Sequence, residues 1–423
     1  MNVNSELFDF IKKSPSAYHT VETVSQALNA LGYSELSEGE DWDLADGGRY
    51  YVKRNGTSII AFRAKKLASG FMIAASHSDS PAFRLKMTPE LRGAYTRLEV
   101  ERYGGMIHYS WLDRPLSLAG RVIVRTKGGL SVRLCNLDKD VAVIPSVAIH
   151  LNRTVNEGYK FNPAVDLLPV TGCGARGIMA AVAESVGADE DSIVSHDLFL
   201  YNREEGRVIG VDEELIMSPR LDDLECVFAS LRAFLNASET ESVPVLAVFD
   251  NEEIGSDTKQ GAASTFLYDV LSRIAGDNYR KMINGSLMLS ADNAHARHPN
   301  HPELSDADNA PMLNGGVVIK WNANQKYATD GASMAIFSEI CDKAGVKTQS
   351  YYNRADLPGG STLGSIANTK VPIPTVDIGL AQLAMHSASE TAGASDVSEM
   401  IKALRAFYAT SLKRVGSEII IEN

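Results

Sequence analysis

Short runs of apolar residues that end abruptly in polar ones recur along the chain and predict buried strands. Residues 243–249 form one such run, and residues 71–76, 286–290 and 371–378 form three others. Continuous apolar runs of this length are typical of strands covered on both faces, as in parallel sheets. Residues 57–62 predict one further strand. We therefore expect an α/β fold with a mixed, largely parallel central sheet.

Between these strands, apolar residues at three- and four-residue intervals predict helices that flank the sheet. The segments with this pattern, or with a composition that favours a helix, are residues 6–11, 21–31, 177–186, 224–235, 264–274, 332–344 and 397–412. We expect the segment 224–235 to be amphipathic, with one face on the core.

The pattern changes between about residues 88 and 208, where polar and apolar residues alternate. Residues 121–125 and 131–134 alternate on either side of Gly128-Gly129, which indicates an antiparallel hairpin with one solvated face. Residues 140–149 predict a further strand. We therefore expect an inserted β-rich domain.

These patterns divide the chain into two predicted domains. Residues 1–89 and 209–423 would form a discontinuous α/β domain that carries the chemistry. Residues 90–208 would form the β-rich domain inserted into it. No internal repeat or low-complexity segment is present in the sequence.

Composition and charge restrict the class of protein. The chain has 423 residues, of which 44% are hydrophobic, and this is sufficient for a large globular core. A net charge of −12 argues against nucleic acid as a partner, because phosphate binding needs a basic surface. The four cysteines lie far apart, which favours reduced thiols over disulfides or a cysteine-rich metal site. Residues 1–13 contain acidic residues and no long apolar segment, so we expect no membrane association and a cytoplasmic location.

Carboxylates and an imidazole directly follow two of the predicted strands. Asp250, Glu252 and Glu253 come after one strand, and His77 and Asp79 come after another. Ligands of open α/β sheets bind at the carboxyl ends of the strands, which makes these residues site candidates. An acidic solvated turn and an ordinary hydrogen-bonded histidine are the alternatives when each group is considered alone.

Three further candidates occupy comparable places. Asp292 follows the predicted strand 286–290, His386 follows the last strand, and Asp222 precedes a helix. Asp222 and its neighbour Asp223 could equally cap that helix. The alternative for Asp222 is a carboxylate that bridges two metal ions.

Together these residues suggest a dinuclear metal site. Oxygen and imidazole ligands without cysteine suit a catalytic pair of zinc, cobalt or manganese ions. Five ligands suffice for two ions if one carboxylate bridges them, and two such ions can hold a shared water as hydroxide and polarise a carbonyl. Glu252 would then remain as the general base, and the His-x-Asp spacing places Asp79 where it could hold the imidazole of His77. The candidate ligands are His77, Asp222, Glu253, Asp292 and His386.

Two other segments suggest competing sites. His295, His298 and His301 have a regular spacing that could bind a metal, although Pro299 interrupts any helix that would align them. The Gly-rich segment 357–364 lacks the lysine of a phosphate-binding loop, so it predicts a turn before a helix rather than a nucleotide site.

Five motifs, spread in order over nearly the full chain, resemble those of the aspartyl aminopeptidase family of dinuclear zinc metallopeptidases. The resemblance is to a bacterial member of that family. The motifs are His77-Ser-Asp-Ser-Pro81, Ser218-Pro-Arg-Leu-Asp-Asp223, Asp250-Asn-Glu-Glu-Ile-Gly-Ser256, Ser290-Ala-Asp-Asn-Ala-His-Ala-Arg-His-Pro-Asn300 and Met385-His-Ser-Ala-Ser-Glu390. The resemblance implies a zinc-peptidase-like fold in which the inserted domain mediates dimerisation and forms a lid.

The resemblance also implies a role for each metal ligand. Two divalent ions per subunit are expected, zinc first and cobalt or manganese as alternatives. The positions that match His77 and Asp292 hold the first ion, and those that match Glu253 and His386 hold the second. The position of Asp222 bridges the two ions.

Other positions that match the family imply catalytic and substrate contacts. Glu252 matches the general base, and Asp79 matches the carboxylate that orients the first histidine. Lys320 and Tyr327 match substrate-contacting positions, and a lysine can pair with an acidic side chain of the substrate. His150 matches a residue that reaches into a neighbouring subunit's site, in tetrahedral dodecamers that are built from dimers and enclose a chamber.

We therefore expect a metal-dependent aminopeptidase that removes an N-terminal residue, preferably Asp or Glu, by means of a metal-bridging water activated by Glu252. An aminopeptidase of neutral, Leu-type preference is the closest alternative. A deacylase of small amides shares the chemistry, and a non-catalytic assembly protein of the same fold is the alternative from another class.

Overall fold

The computed structural model describes residues 2–174 and 176–422. The helices, in chain order, are α1 (Val3–Lys13), α2 (Ala17–Asn29), α3 (Pro163–Asp166), α4 (Ile178–Ser185), α5 (Leu221–Leu235), α6 (Phe266–Ala275), α7 (Tyr279–Met282), α8 (Gly331–Ala344), α9 (Leu363–Ala367) and α10 (Asp396–Tyr408). Among the described residues, no helix has the length and apolar character that a membrane crossing would need.

The strands up to the middle of the chain are β1 (Ser34–Leu36), β2 (Arg49–Arg54), β3 (Ser58–Arg63), β4 (Phe71–His77), β5 (Ala82–Leu91), β6 (Thr96–Tyr103), β7 (Leu116–Thr126), β8 (Gly129–Asn136), β9 (Val170–Gly172), β10 (Ile193–Asn202), β11 (Arg207–Ile209) and β12 (Leu215–Ser218). The later strands are β13 (Val243–Phe249), β14 (Leu287–Ala291), β15 (Ala294–His295), β16 (Val317–Trp321), β17 (Thr348–Tyr352), β18 (Thr375–Gly379), β19 (Ala381–Leu383), β20 (Glu390–Gly393), β21 (Ser411–Val415) and β22 (Glu418–Glu422).

A nine-stranded mixed sheet forms the centre of the α/β part, in the order β1-β2-β3-β13-β4-β14-β18-β16-β17. Its four middle strands, β13, β4, β14 and β18, run parallel to one another. Phe249 pairs with His77 at the carboxyl ends of β13 and β4, so the residues that follow these strands begin at the same edge. The α/β class and the largely parallel centre of the sheet are confirmed.

Helices cover both faces of this sheet. Apolar side chains of α1, α2, α5, α8 and α10 form one core on the first face, and those of α6 and α9 form a second core on the opposite face. The prediction of an amphipathic α5 was wrong, because nearly every residue of this helix is buried. Helix α5 is enclosed by α10, α1, α2 and the sheet, which leaves it no solvated face.

A separate six-stranded antiparallel sheet, in the order β8-β7-β10-β5-β6-β9, uses strands between Ala82 and Asn202. Its β7–β8 hairpin closes with Thr126 opposite Gly129, as the alternating pattern predicted. The predicted strand over 140–149 was wrong, because this segment forms only isolated bridges, such as Ala142 with Leu116. The division into domains at 90–208 remains a prediction.

Two other boundaries differ from the sequence prediction. Strand β18 begins only at Thr375, since Pro372 and Pro374 lack the N–H groups that an inner strand must donate. Helix α10 ends at Tyr408, and the last residues of the predicted helix instead begin the β21–β22 hairpin. A small five-stranded sheet, in the order β11-β12-β20-β19-β15, lies beside the edge of the central sheet where β14 ends.

Candidate metal centre

The carboxyl edge of the central sheet brings most of the candidate residues together. His77 is the last residue of β4, Asp292 directly follows β14, and Glu252 and Glu253 begin a short 3-10 helix after β13. Because β13, β4 and β14 are adjacent and parallel, these side chains meet at one place. The sheet topology therefore builds one half of the site.

The other candidate ligands come from elements that face this edge. Asp222 lies in the first turn of α5, and His386 lies in the loop between β19 and β20 of the five-stranded sheet. Asp222 has non-helical backbone angles, and its carboxylate contacts both His77 and His386. The position of its side chain is therefore explained by the contacts with the two histidines and not by a helix-capping hydrogen bond.

The side chains form two overlapping groups whose ligand atoms lie within 4.8 Å of one another. His77 Nε2 is 3.4 Å from Asp222 Oδ1 and 3.9 Å from Asp292 Oδ1. His386 Nε2 is 3.4 Å from Asp222 Oδ2 and 3.3 Å from Glu253 Oε2. Asp222 thus belongs to both groups and offers a different oxygen to each.

These separations fit a shared metal ion. Ligand atoms at about 2.0–2.1 Å from a tetrahedral zinc lie roughly 3.3–3.4 Å from each other, which is longer than an ordinary hydrogen bond. Three of the distances above have this value. The oxygens Asp222 Oδ1, Asp223 Oδ1 and Glu253 Oε1 are buried and have no hydrogen-bond partner among the described residues. Buried carboxylate oxygens without a donor suit a bound cation.

The charge of the cluster also favours bound cations. Burial raises the pKa of Asp223 and of Glu253 well above the usual value for a carboxylate, despite the nearby imidazoles of His77 and His386. Bringing more carboxylates than cations into one buried place disfavours their ionised forms. Divalent ions at this position would supply the missing positive charge.

Both histidines are oriented by oxygen acceptors on their other ring nitrogen. His77 Nδ1 lies 3.1 Å from the backbone oxygen of Asp79 and 3.4 Å from its carboxylate. His386 Nδ1 donates to the carbonyl of Gly105 at 2.9 Å. With Nδ1 protonated, Nε2 of each ring is free to act as a metal ligand.

Asp79 also fixes the turn that carries the two glutamates. Its two carboxylate oxygens accept the backbone N–H groups of Glu252 and Glu253, each at 3.2 Å. The hydroxyl of Tyr103 donates to the same carboxylate at 2.6 Å. Burial and the Asp292 carboxylate raise the pKa of Glu252 to about 8, in the range expected for a group that exchanges protons near neutral pH.

Glu390, at the start of β20, connects two candidate ligands. Its carboxylate accepts the backbone N–H of Asp222 at 3.0 Å and that of His386 at 2.7 Å. The sequence analysis placed Glu390 at the end of a motif without giving it a role. Asp223 was considered there only as a helix cap, yet it lies beside His77 and accepts the His77 backbone N–H at 3.1 Å.

Lys320 lies at the site, but its ammonium group is buried and already has acceptors. Lys320 Nζ donates to the carbonyls of Asp292 and Asn293, at 2.6 Å and 3.2 Å, and lies 3.4 Å from Asp292 Oδ2. Burial lowers the pKa of Lys320, but the Asp292 carboxylate and its other neighbours outweigh this, so the pKa is raised overall. The ring of Tyr327 is 5.3 Å from this ammonium and is also buried.

The remaining candidate residues are not members of the cluster. His150 is exposed, and its side chain makes no hydrogen bond, ion pair or ring contact within the described chain. His295, His298 and His301 belong to neither of the groups that could hold a metal ion in the described residues. One protomer therefore assembles every predicted metal ligand without these four histidines.

Comparison with known proteins shows the family to which the chain belongs. The model of the family described as aminopeptidase I zinc metalloprotease (M18) matches residues 10–408 of the chain. The chain belongs to the M18 family. A probable M18 family aminopeptidase 2 from Clostridium acetobutylicum is 45% identical over 425 residues, which is 95% of this chain and 98% of the relative. This M18 chain is therefore a metal-dependent aminopeptidase, as the sequence analysis expected.

Solved structures of M18 aminopeptidases share the fold. Ape4, in its complex with Nbr1, superposes with a TM-score of 0.93 at 34% identity, covering 96% of this chain and 85% of Ape4. The mApe1 dodecamer of S. cerevisiae gives a TM-score of 0.85 at 28% identity, covering 96% of each chain. The fold of this chain is thus shared by these two solved structures over 96% of its length.

Proposed function

We propose that this M18 aminopeptidase removes an N-terminal residue, preferably Asp or Glu, from peptides, with two divalent ions per subunit and Glu252 as the general base. Zinc is the first choice for both ions, with cobalt or manganese as alternatives. The observation that carries the proposal is the position of Asp222, which faces His77 with one oxygen and His386 with the other at the separation expected of shared ligands.

Each ligand is given a place in this proposal. His77 and Asp292 would hold one ion, Glu253 and His386 the other, and Asp222 both. Ions bound there would polarise the scissile carbonyl and make water more acidic. Asp79 would keep His77 in the tautomer that binds through Nε2 and would hold the turn of Glu252 and Glu253 in place.

Glu252 supplies the proton transfer in the reaction. Its carboxylate takes a proton from the attacking water while the new carbon–oxygen bond forms. It then gives that proton to the peptide nitrogen as the carbon–nitrogen bond breaks, so that a free amine leaves. A pKa near neutral pH allows one carboxyl group to perform both transfers.

The acidic preference rests on Lys320. A cation beside the metal cluster would complement the side chain of an N-terminal Asp or Glu, and Tyr327 lies beside it. Neutral preference is the second candidate, because the Lys320 ammonium already donates to two backbone carbonyls and lies near Asp292. An ammonium with these partners would act on the reaction mainly through the position of Asp292.

Replacing Lys320 by Met distinguishes these two roles. If Lys320 binds the substrate side chain, kcat/KM should fall at least about tenfold more for Asp substrates than for Leu substrates, since a charge-assisted bond is lost only with Asp. Steady-state kinetics on matched aminoacyl anilides measure this ratio. Equal losses for both substrates would remove Lys320 from specificity and leave it as a residue that positions Asp292.

Glu390→Gln tests how the ligands are held. The amide keeps one oxygen acceptor but turns an NH₂ group toward the other backbone N–H, of either Asp222 or His386. We expect metal affinity to fall about 10- to 100-fold, as for other partners of metal ligands, with the fold retained. Metal-buffered titration measures the affinity, and Glu418→Gln on the exposed β22 is the control. Unchanged affinity in Glu390→Gln would contradict the role.

The solved relatives support a proposal about assembly. We propose a homo-oligomer, a tetrahedral dodecamer built from dimers through the inserted sheet, because the S. cerevisiae mApe1 relative is a dodecamer. The exposed His150 would then complete a neighbouring subunit's site. A cytoplasmic location remains part of the proposal, as do peptides with an acidic N-terminus as substrates.

The proposal as a whole is tested by the release of Asp and Leu from matched anilides, before and after chelation and with zinc, cobalt or manganese restored. Metal-dependent turnover that favours Asp would support it. Turnover that favours Leu would keep the mechanism and overturn the acidic preference. Hydrolysis of acylated amino acids without hydrolysis of peptides would favour the deacylase, and no turnover with any metal would favour the assembly protein.

A further inference from the structure

The end of β6 brings a residue of the six-stranded sheet to the metal centre. Tyr103 is the last residue of β6, and its backbone pairs with Ala82 at the start of β5. Its ring packs edge-on against Phe199 of β10, with the ring centres 5.5 Å apart. The six-stranded sheet therefore fixes Tyr103 both through its backbone and through its ring.

The hydroxyl of Tyr103 contacts two loops of the central sheet. It donates to Asp79 Oδ2 at 2.6 Å and accepts from the side-chain amide of Asn251 at 2.7 Å. Asp79 lies in the loop after β4, and Asn251 lies in the loop after β13. A hydroxyl has one proton to donate and two lone pairs to accept with, so both bonds can form together. One side chain thus joins the two loops that carry candidate site residues.

Asn251 sets the start of the turn that carries the two glutamates. It directly precedes the short 3-10 helix and has left-handed backbone angles, with a φ of 65°, a region that asparagine adopts more readily than most residues. Its side-chain oxygen accepts from the hydroxyl of Thr258 at 2.9 Å and from the amide of Gln260 at 2.8 Å. Because its amide nitrogen donates to Tyr103, both ends of the side-chain amide have partners.

Asp79 holds the same turn from the other side. Its carboxylate oxygens accept the backbone N–H groups of Glu252 and Glu253, and Oδ2 also accepts the hydroxyl of Tyr103. Without this hydroxyl, Asp79 would lose one donor and Asn251 would lose the acceptor of its amide. The turn would keep its backbone bonds to Asp79 but would have fewer constraints on the position of Glu252.

The next two residues bring the same segment to the second group of candidate ligands. Gly104 has a left-handed φ of 74°, and a Cβ added there would lie 3.2 Å from the Cβ of Glu253. The carbonyl of Gly105 accepts Nδ1–H of His386 at 2.9 Å. The segment that begins at Tyr103 therefore packs against the centre at a distance that suits glycine.

We propose that Tyr103 is a positioning residue for the general base, which it holds in place through Asp79 and Asn251. This role rests on the proposed function of Glu252 as the base. Proton transfer requires a carboxyl group within hydrogen-bond reach of the water and of the leaving nitrogen, and a small displacement lowers the rate. The six-stranded sheet thereby takes part in the reaction, although it supplies no candidate metal ligand in the described residues.

Tyr103→Phe tests this role, because it removes the hydroxyl and keeps the ring against Phe199. At saturating zinc we expect kcat to fall about tenfold with KM unchanged, as for other groups that orient the partners of metal ligands. Steady-state kinetics on the preferred anilide measure both constants. Tyr51→Phe is the matched control, since the hydroxyl of the buried Tyr51 also lies near an amide and a carboxylate, 3.1 Å from Asn29 Oδ1 and 3.2 Å from Glu35 Oε2. It should leave kcat unchanged.

The Glu252→Gln background separates positioning from a general weakening of the fold. If Tyr103 acts through Glu252, Tyr103→Phe should change the low kcat of Glu252→Gln by less than about twofold, because the group that it positions no longer transfers the proton. A general weakening of the fold would lower kcat by the same factor in both backgrounds.

A tenfold loss of kcat confined to the enzyme that retains Glu252, with the zinc content unchanged, would support the role of Tyr103. An unchanged kcat in Tyr103→Phe, the same fold loss in both backgrounds, or a lower zinc content than that of the unmodified enzyme would each overturn it. If Glu252→Gln alone had a kcat near that of the unmodified enzyme, the proposed function of Glu252 would itself be overturned, and the positioning role with it.

Discussion

Glu252→Gln is expected to lower kcat about 10²- to 10⁴-fold, the range that general acid–base catalysis contributes. The amide has nearly the shape of the carboxyl group but cannot take a proton from water and return it to the leaving amine. The backbone N–H of Glu252 would still donate to Asp79, so the turn should be retained. Steady-state kinetics on the preferred anilide measure the effect.

Metal content is the control for this variant. Glu252 belongs to neither group of metal-binding side chains in the described chain, so elemental analysis should find the same number of ions before and after the change. Asp257→Asn, an exposed acid five residues further on, should leave kcat unchanged. Loss of metal together with activity would make Glu252 a ligand, and a kcat near that of the unmodified enzyme would exclude it as the base.

Asp222→Asn is expected to lose both ions and to reduce turnover to the level of the chelated enzyme. Asp222 is the one candidate ligand that both groups share in the described chain, and the substitution removes its negative charge from both at once. His386→Gln affects only the second group. It should therefore keep the ion held by His77 and Asp292, and lose the one held with Glu253.

Native mass spectrometry under a buffered supply of zinc counts the ions in each variant. A shared carboxylate predicts two ions in the unmodified enzyme, one ion in His386→Gln and no ion in Asp222→Asn. If Asp222→Asn kept two ions at unchanged affinity, Asp222 would not be the bridge. If both variants lost the same single ion, Asp222 would belong to one site only.

Local sequence patterns predicted the strands of this fold well, because a strand buried on both faces has a nearly continuous apolar sequence. Residues 71–76 and 243–249 became β4 and β13, and the polar residues after them became the site. The environment of α5 could not be predicted in this way. Its polar positions Glu225 and Ser230 suggest a solvated face, but other helices enclose it in the folded chain.

The parts of the site that the sequence did not predict come from elements distant in the chain. Tyr103, at the end of β6, reaches Asp79 from another sheet. Glu390 lies 168 residues after Asp222 in the chain and accepts the backbone N–H groups of both Asp222 and His386. Neither residue stands out by spacing, because each acts only through contacts that the topology creates. Residues that directly follow buried strands are predictable, whereas the partners that hold them are not.

The environment of Lys320 also could not be predicted from the local sequence. In the sequence it belongs to a small basic and aromatic segment that resembles solvated surface. In the structure β16 is an inner strand of the central sheet, so this lysine is buried and its charge is directed toward Asp292. A lysine in a segment that resembles solvated surface can thus be buried against a candidate metal ligand.

The most direct test of the proposed centre is anomalous diffraction from crystals of the zinc-loaded enzyme, recorded above and below the zinc edge. Two peaks are expected per subunit, both within bonding distance of Asp222, one beside His77 and Asp292 and the other beside Glu253 and His386. A single peak, or peaks beside His298 and His301 instead, would contradict a dinuclear centre built around Asp222.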